Sequence, residues 1–197
     1  MGIDGGTEGV RVGIYDLSGK QVGMGITGYK TYHPNPGWAE QDPNEWWSAL
    51  VNSVRQAMSQ AGVTKEQIIG LSLDTTCPTM VLCKKNDGTP LRRALMWMDL
   101  RAHEEADMIS RSGHDALKYN GYGNVSPEWM PCKVLWLKKE MNLHYMKAQI
   151  KILDYSDWYT YKLTGRHTGS ISTTTYRWYY NEEEGGVPRH FFMNQLV

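Results

Sequence analysis

The sequence has few cysteines, almost no phenylalanine and no long apolar run. Its 197 residues include three Cys and two Phe, against eight Trp and twelve Tyr. Three cysteines without C-x-x-C spacing make neither a disulfide framework nor a zinc site, so we expect reduced thiols at Cys77, Cys83 and Cys132. No apolar run reaches the roughly 18 residues that a membrane span needs, and no secretory signal pattern opens the chain. We therefore expect a cytoplasmic protein.

Neither sign of charge is in excess. Lys and Arg together number 21, as do Asp and Glu. This balance gives no electrostatic reason to expect nucleic acid or an anionic membrane as a partner. An apolar fraction of 41% is ordinary for a globular protein. Core and surface packing accounts for most of the Trp and Tyr residues, although both types also suit the lining of a cleft for a polar ligand.

The first sixteen residues predict a hairpin with a glycine-rich turn. Asp4 ends a short first strand, the turn G-G-T-E-G follows at 5–9, and residues 10–16 alternate as a second strand. Such a turn suits a metal-bound phosphate, because backbone N–H groups and Thr7 would face the oxygens. Asp4 would face the metal directly or through water. A plain structural hairpin is the alternative interpretation.

The rest of the chain alternates predicted strands and helices. Asp42, Pro43 and Glu45 predict a helix start, and Gly62 predicts its end. The apolar run at 68–73 is interpreted as a buried strand, and residues 168–180 stand out only as rich in Ser, Thr and aromatics. Other strands are predicted at 21–32, 80–83 and 150–153, and other helices at 103–111, 132–141 and 157–163, with one or two helical turns at 189–197.

This order of elements predicts an α/β domain with a mixed sheet. The antiparallel opening hairpin argues against a purely parallel Rossmann sheet, and no G-x-G-x-x-G motif is present.

Four sequence pieces, in this order, resemble the FGGY carbohydrate kinases. They are D-G-G-T-E-G-V-R at 4–11, G-W-A-E-Q-D-P-N-E-W-W at 37–47, G-L-S-L-D-T-T-C at 70–77 with W-M-D-L-R at 97–101, and S-P-E-W-M-P-C-K-V-L-W-L at 126–137 with D-Y-S-D-W at 154–158 and L-T-G at 163–165. Together they cover nearly all of the chain. The D-T-T-C and S-P-E-W pieces are most similar to the ribulokinase and pentulose-kinase branches, rather than to glycerol kinases.

The resemblance implies an actin-like, ribonuclease-H-like fold with a mixed sheet flanked by helices. Family members have two such domains around a cleft and are much longer than this chain. Residues 1–197 would therefore be the N-terminal, sugar-binding domain, without the C-terminal nucleotide-binding domain. The catalytic aspartate, the general base, is expected beyond Val197, so no catalytic residue is assigned within the chain. Only three residues precede Asp4, and this short first strand is expected to weaken its placement.

The resemblance also implies the cofactors ATP and Mg²⁺ and a set of site residues. Asp4 would engage Mg²⁺, and the phosphates would be bound by Gly6, Thr7, Glu8 and Arg11. Thr76 and Cys77 would meet the sugar, Trp97 would pack on it, and Glu128 would face it. Asp99 or Arg101 would brace the site, and these six residues form the predicted substrate-binding set. Asp74 is interpreted as a turn cap, with a substrate-facing role as the alternative.

The function so implied is an ATP-dependent sugar kinase that phosphorylates a hydroxyl of a ketopentose, ribulose-like or xylulose-like, or of a related polyol. This fragment is expected to be inactive alone. The expected partners are the sugar and the C-terminal domain of the same protein, and a homodimer is left open. A sugar-binding or regulatory module without catalysis is the alternative. The W-M-D-L-R and S-P-E-W pieces speak against another actin-like ATPase of the chaperone type.

Overall fold

The structure, a computed structural model, describes residues 1–141 and 149–188. The helical turns predicted at 189–197 lie outside the described residues. The described chain forms two compact units. The strands are β1 Gly2–Gly5, β2 Gly9–Tyr15, β3 Gln21–Gly28, β4 Glu40–Gln41, β5 Ser72–Thr75, β6 Met80–Lys84, β7 Ala94–Leu95 and β8 Ile150–Asp154. The helices are α1 Pro43–Ala61, α2 His103–Arg111, α3 Met130–Met141, α4 Tyr155–Thr164 and α5 Ile171–Trp178.

The first unit, Met1–Thr31 with Gln41–Thr76, contains a mixed sheet. Its strand order is β3-β2-β1-β5. Strand β1 pairs antiparallel with β2 and parallel with β5, which confirms both the opening hairpin and the mixed sheet. Alternate residues of the strands are buried, as the period of two predicts: Ile3, Val10, Val12 and Ile14.

Helix α1 begins and ends where the sequence predicts. The Asp42 carboxylate accepts the Asn44 N–H at 2.8 Å, Pro43 occupies the first turn, and Gly62 ends the helix in the left-handed conformation at φ 64°. Trp46 and Leu50 of α1 are buried. The helix packs on β2 and β3 and so covers one face of the sheet.

Two glycines of β3 allow α1 to lie very close to the sheet. A Cβ atom on Gly25 would lie 2.0 Å from the Ser53 carbonyl oxygen, and one on Gly23 would lie 2.3 Å from the Ala57 carbonyl oxygen. The glycines that weaken the strand propensity of this segment are therefore required by helix packing.

The prediction of a buried strand at 68–73 is wrong. Strand β5 begins only at Ser72, and Ile69 and Leu71 are 86% and 55% exposed. Strand β5 lies at the edge of the described sheet with β1 as its partner, and its own residues alternate between exposed and half-buried. An apolar run alone does not reveal how many neighbours a strand will have.

The second unit, Tyr32–Glu40 with the described residues from Cys77 onward, contains a smaller sheet. Its order is β4-β7-β6-β8, and β6 pairs antiparallel with both β7 and β8. Helix α4 directly follows β8. The sequence predicts either Asp154 or Ser156 as its N-cap and Gly165 as its end, and the structure has Asp154 and Gly165 in these positions. Helices α2 and α3 pack together around a buried cluster that includes Ile109 and Leu135.

Helix α5 falls in the segment that the sequence marks only as rich in Ser, Thr and aromatics. The hydroxyl groups of Thr173 and Thr174 donate to the Ser170 carbonyl at 3.1 and 2.7 Å. Threonine has a low helix propensity, because its hydroxyl group can bond to nearby backbone groups, and this conceals the helix in the sequence.

Candidate active site

The tip of the opening hairpin is held by side chains from elsewhere in the first unit. Within the turn, the Gly6 N–H donates to the Gly9 carbonyl at 3.0 Å. The Tyr29 hydroxyl bonds the carbonyl groups of Gly6 and Gly9. The Gln41 amide donates to the Thr7 carbonyl at 2.7 Å. Tyr29 and Gln41 therefore fix the predicted phosphate-binding turn, and sequence reasoning did not single out either residue.

Gln41 has a partner for its amide oxygen as well. It is 2% exposed, donates to the Thr31 hydroxyl at 2.8 Å and accepts the Trp46 indole N–H at 3.0 Å. These partners fix the orientation of the amide. Its position directly before the capped start of α1 is the only sequence signal that points to a role.

Asp4 and Arg11 lie opposite each other on β1 and β2 and form an ion pair of 2.7 Å. Their side chains are 48% and 56% exposed. An exposed pair of this kind contributes about 0–1 kcal/mol, so either partner is available to a ligand at low cost. Mg²⁺ is commonly bound through one or two carboxylates together with substrate phosphates and water, and the Asp4 carboxylate fits that chemistry. No cluster of three metal-ligating side chains exists among the described residues.

Thr76 lies beside the hairpin. Its N–H donates to the Gly5 carbonyl at 2.9 Å and so extends the parallel pairing of β1 and β5. The turn that follows β1 and the residue that follows β5 therefore meet at the carboxyl ends of two parallel strands, where α/β sheets bind ligands. Asp74 lies within β5, opposite Asp4, and its carboxylate accepts the Thr75 N–H at 2.9 Å. The turn-cap interpretation of Asp74 stays a prediction.

The other predicted substrate residues belong to the second unit, and two of them are buried. Arg101 donates to both oxygens of Asp99 at 2.8 Å, and Asp99 also accepts the Ala39 N–H at 2.7 Å. The Arg101 Nη1 atom lies 2.8 Å from Glu40 without hydrogen-bond geometry. Glu40 in turn pairs with Arg92 at 2.9 Å. The four charges form a network in which Glu40, Asp99 and Arg101 are buried and Arg92 is half-buried.

Aromatic rings enclose the Arg101 guanidinium. Its central carbon lies 3.8 Å from the ring centre of Trp38 and 4.9 Å from that of Trp136. The two indoles meet edge to face at 5.7 Å. Because Asp99 and Arg101 are enclosed on all these sides, their position favours the bracing role over direct contact with a sugar.

Cys77, Trp97 and Glu128 are half-buried and so retain exposed surface. The Trp97 N–H donates to the Thr79 hydroxyl at 3.2 Å. Glu128 lies within 3.4 Å of the Ser126 hydroxyl, which also accepts the Glu128 N–H. These three residues remain predictions as sugar contacts, and their accessibility is compatible with that role.

The thiols of Cys77, Cys83 and Cys132 are reduced. Burial raises the pKa of Cys83 to about 11 and that of Cys132 to about 12. Both are therefore protonated and unreactive at neutral pH.

Sequence reasoning also missed Lys133, which is fully buried on α3. Its amine donates to the carbonyl groups of Pro78 and Met96, at 2.9 and 2.6 Å. A single lysine inside the apolar run P-C-K-V-L-W-L is the signal that could have revealed it.

Comparison with known proteins identifies the family to which the chain belongs. The model of the FGGY family of carbohydrate kinases, N-terminal domain, matches residues 1–185. The chain belongs to the FGGY family. An FGGY carbohydrate kinase domain-containing protein of Xenopus laevis is 34% identical over 194 residues, which cover 94% of this FGGY chain and 34% of that protein. A glycerol kinase of Citrifermentans bemidjiense is 28% identical over 181 residues, covering 89% and 37%.

Solved structures show that this FGGY chain has the actin-like, ribonuclease-H-like fold. The xylulose kinase of Rhodospirillum rubrum matches with a TM-score of 0.86 at 20% identity, over 100% of this chain and 40% of that one. The xylulose kinase of Lactobacillus acidophilus matches with a TM-score of 0.84 at 19% identity, over 100% and 39%. Because glycerol kinases and xylulose kinases both match, the pentulose-kinase branch stays a prediction.

The FGGY chain spans about a third of the length of the curated relatives it matches. In the part of the chain that the structure describes, no helix combines the length and apolarity that crossing a membrane requires.

Proposed function

We propose that the protein is an ATP-dependent sugar kinase, which transfers the γ-phosphate of ATP to a hydroxyl group of a ketopentose such as ribulose or xylulose, or of a related polyol. The observation that carries the proposal is the glycine-rich hairpin of an FGGY family member, with Asp4 at its start and Thr76 beside it. The hairpin turn, Asp4 and the residue that follows β5 thus lie at the same end of the sheet.

In the proposed reaction, a sugar hydroxyl oxygen forms a bond to the γ-phosphorus while the bond from that phosphorus to the bridging oxygen of ADP breaks. The hydroxyl proton passes to a general base, an aspartate expected beyond Val197. Phosphoryl transfer needs positioning and neutralisation of charge more than covalent chemistry. The hairpin suits this task because its tip is fixed by Tyr29 and Gln41 before any ligand binds.

The residues of the first unit receive the phosphate-binding roles. The N–H groups of Thr7 and Glu8 and the Thr7 hydroxyl would donate to the γ-phosphate oxygens. Gly6, whose own N–H closes the turn onto the Gly9 carbonyl, would let the phosphate come close to the backbone. Asp4 would hold Mg²⁺, which supplies further positive charge at the transferring phosphate. Arg11 would exchange its exposed pair with Asp4 for a phosphate oxygen. A glycerol kinase of Plasmodium falciparum was solved with ADP, which supports ATP as the phosphate donor.

The second unit receives the sugar-binding roles. The half-buried side chains of Cys77, Trp97 and Glu128 would face the sugar. An indole offers a flat apolar face to a sugar ring, and a carboxylate accepts hydrogen bonds from its hydroxyl groups. The Asp99–Arg101 pair would brace the segment that carries Trp97.

We further propose that residues 1–197 form the N-terminal domain of a two-domain enzyme. The curated relatives are about three times as long as the matched segment, which supports this division. A C-terminal domain would then supply the nucleotide-binding surface and the catalytic aspartate.

A coupled assay of ADP release tests the proposal, using the protein expressed from its complete gene and a panel of ketopentoses and polyols. We expect turnover with at least one sugar and its loss on chelation of Mg²⁺. Asp4→Asn should lower kcat on the order of 100-fold or more. Asp16→Asn is the matched control, because Asp16 caps an exposed turn of the same unit and should leave kcat unchanged.

Two outcomes would contradict the kinase proposal. The first is the absence of ADP release with every sugar while a sugar still raises the melting temperature, which would indicate the non-catalytic module. The second is full activity of the Asp4→Asn enzyme. Turnover by the 197-residue chain alone would overturn the assignment of the general base to a later segment.

A further inference from the structure

Lys133 connects two segments that lie far apart in sequence. It belongs to α3 and has no exposed surface. Its amine donates to the Pro78 carbonyl at 2.9 Å and to the Met96 carbonyl at 2.6 Å. Pro78 directly follows Cys77, and Met96 directly precedes Trp97. One buried amine therefore fixes the backbone next to two predicted sugar-binding residues.

Thr79 makes a second connection between the same segments. Its hydroxyl accepts the Trp97 N–H at 3.2 Å, and its own N–H donates to Asp154 at 3.4 Å. Thr79 is 1% exposed, so water does not compete for these bonds. We call Lys133, Thr79 and the carbonyl groups of Pro78 and Met96 the Lys133 bracket.

The charges around Lys133 come from several elements. Burial lowers its pKa to about 7, while the carboxylates of Asp99, Asp154 and Glu128 and the neighbouring Cys132 act in the opposite direction. Both the ammonium and the neutral amine have N–H groups to donate, so the two carbonyl groups keep a donor on either side of neutrality. The Lys133 bracket therefore fixes the positions of the two carbonyl groups whether the Lys133 amine is charged or neutral.

We infer that Lys133 and Thr79 are positioning residues, which hold the Cys77–Pro78 segment and the Met96–Trp97 segment at a fixed spacing so that the sugar meets both at once. The inference rests on the proposed sugar kinase function. Its physical basis is that small displacements of substrate-positioning groups reduce rates strongly, whereas a buried donor with two fixed acceptors resists them.

The competing interpretation is that Lys133 serves core stability alone. A buried polar group whose partners are removed costs about 1–3 kcal/mol wherever it lies, so loss of stability does not separate the two interpretations. The KM for the sugar, compared with the KM for ATP, distinguishes the two interpretations. Substitution of Lys133 disconnects only the segments that carry Cys77 and Trp97, so a positioning role predicts a change in the KM for the sugar alone.

The experiment compares Lys133→Met with Lys139→Met in the protein expressed from its complete gene. Lys139 lies on the same helix, is exposed and pairs with Glu104 at 3.1 Å, so it controls for the substitution itself. We expect Lys133→Met to raise the KM for the sugar roughly tenfold or more and to change the KM for ATP less than about twofold. Hydrogen exchange, followed by mass spectrometry, should become faster in peptides that cover 76–80 and 96–101.

A second pair of variants keeps the inference testable if Lys133→Met fails to fold. Thr79→Val removes the acceptor of the Trp97 N–H with little change in volume, whereas Thr79→Ser retains the hydroxyl. We expect the KM for the sugar to rise in the valine variant and to return toward the wild-type value in the serine variant.

Two results would overturn the inference. One is an unchanged KM for the sugar in folded Lys133→Met or, where that variant is unfolded, in Thr79→Val. The other is hydrogen exchange at 76–80 and 96–101 identical to that of Lys139→Met. If the wild-type protein releases no ADP with any sugar, the kinase proposal fails separately, and the sugar-induced rise in melting temperature becomes the readout. Its loss in Lys133→Met then supports the bracket, and its retention contradicts it.

Discussion

Two arginine–aspartate pairs in this chain have the same chemistry and opposite surroundings. The pair of Asp4 and Arg11 is about half exposed, whereas that of Asp99 and Arg101 has no exposed side-chain surface. Water screens the first pair, so it can be exchanged for a metal ion or a phosphate. The second is costly to break, because separating it would leave a charge buried without its partner. The difference in burial therefore supports the proposal that the first pair binds a ligand and that the second braces the site.

Replacing Arg101 by lysine tests the bracing role at this scale. Lysine keeps the charge, but it loses the two parallel hydrogen bonds to Asp99 and the contacts of the guanidinium with the indoles of Trp38 and Trp136. We expect the free energy of unfolding in urea to fall by roughly 2–4 kcal/mol. Arg111→Lys is the matched control, because Arg111 is exposed and lies 3.5 Å from Asp107. Equal stability of the two variants would contradict the assignment of Arg101 as a brace.

The approach of helix α1 to strand β3 depends on the absence of two side chains. Gly25→Ala would place a methyl group 2.0 Å from the Ser53 carbonyl oxygen, and backbone atoms of the helix cannot rotate away. We expect a loss of about 2–3 kcal/mol, as for other overpacked contacts. Gly70→Ala is the control, since nothing lies within 4 Å of its new Cβ atom. It should leave stability nearly unchanged.

The melting temperatures of both glycine variants can be measured by thermal unfolding monitored by circular dichroism. A melting temperature of Gly25→Ala within one or two degrees of that of Gly70→Ala would show that α1 tolerates a wider separation from the sheet. In that case the glycines of β3 would need another explanation.

Elements whose signals are local could be predicted from the sequence. The cap at Asp42 and Pro43, the end at Gly62 and the Asp154 cap of α4 all depend on residues within one helical turn. The sequence predicts a start for strand β5 that lies several residues too early, and it predicts a buried strand where the residues are exposed or half-buried. The burial of a strand depends on neighbours that distant segments contribute. Helix α5 was hidden by threonines that satisfy their hydroxyl groups locally.

The candidate site was predictable only in part, for the same reason. The hairpin of Asp4 and Thr7 carries its chemistry within a few residues, so the sequence predicts a phosphate-binding turn once the family resemblance is added. The residues that hold site segments in place, Gln41 and Lys133, act on backbone carbonyl groups 34 and 37–55 positions away. Nothing in a short motif encodes a partner at that distance.

The stability of the whole molecule should depend on pH through Asp154. Burial raises the pKa of Asp154 from 3.8 to about 7, and one of its carboxyl oxygens has no hydrogen-bond partner among the described residues. Between pH 4 and 7 the folded state therefore binds a proton that the unfolded state has released. The stability associated with this group is fully present below about pH 4 and is lost as the pH rises through about 7.

Above about pH 7, Lys133 changes the stability in the opposite direction. Burial lowers its pKa from 10.5 to about 7, so between these values the unfolded state binds the extra proton and stability rises with pH. Burial also raises the pKa of Asp157. Asp157 therefore adds to the stability that the protein loses as the pH rises from acid toward neutral. Together these groups predict a minimum of stability near neutral pH.

Asp154→Asn separates the contribution of Asp154 from the others, because asparagine resembles a protonated aspartate and retains an oxygen for the Tyr155 N–H. Urea unfolding at intervals between pH 4.5 and 7 should show the wild-type protein losing roughly 1–3 kcal/mol more than the variant across this range. Asp87→Asn serves as the control: hydrogen bonds from Thr89 lower the pKa of Asp87, so its effect falls below this range. Parallel curves for the wild-type protein and Asp154→Asn would mean that Asp154 stays ionised when the protein folds. The cost of burying that charge would then have to be met by Lys133, whose amine would remain an ammonium throughout the same range.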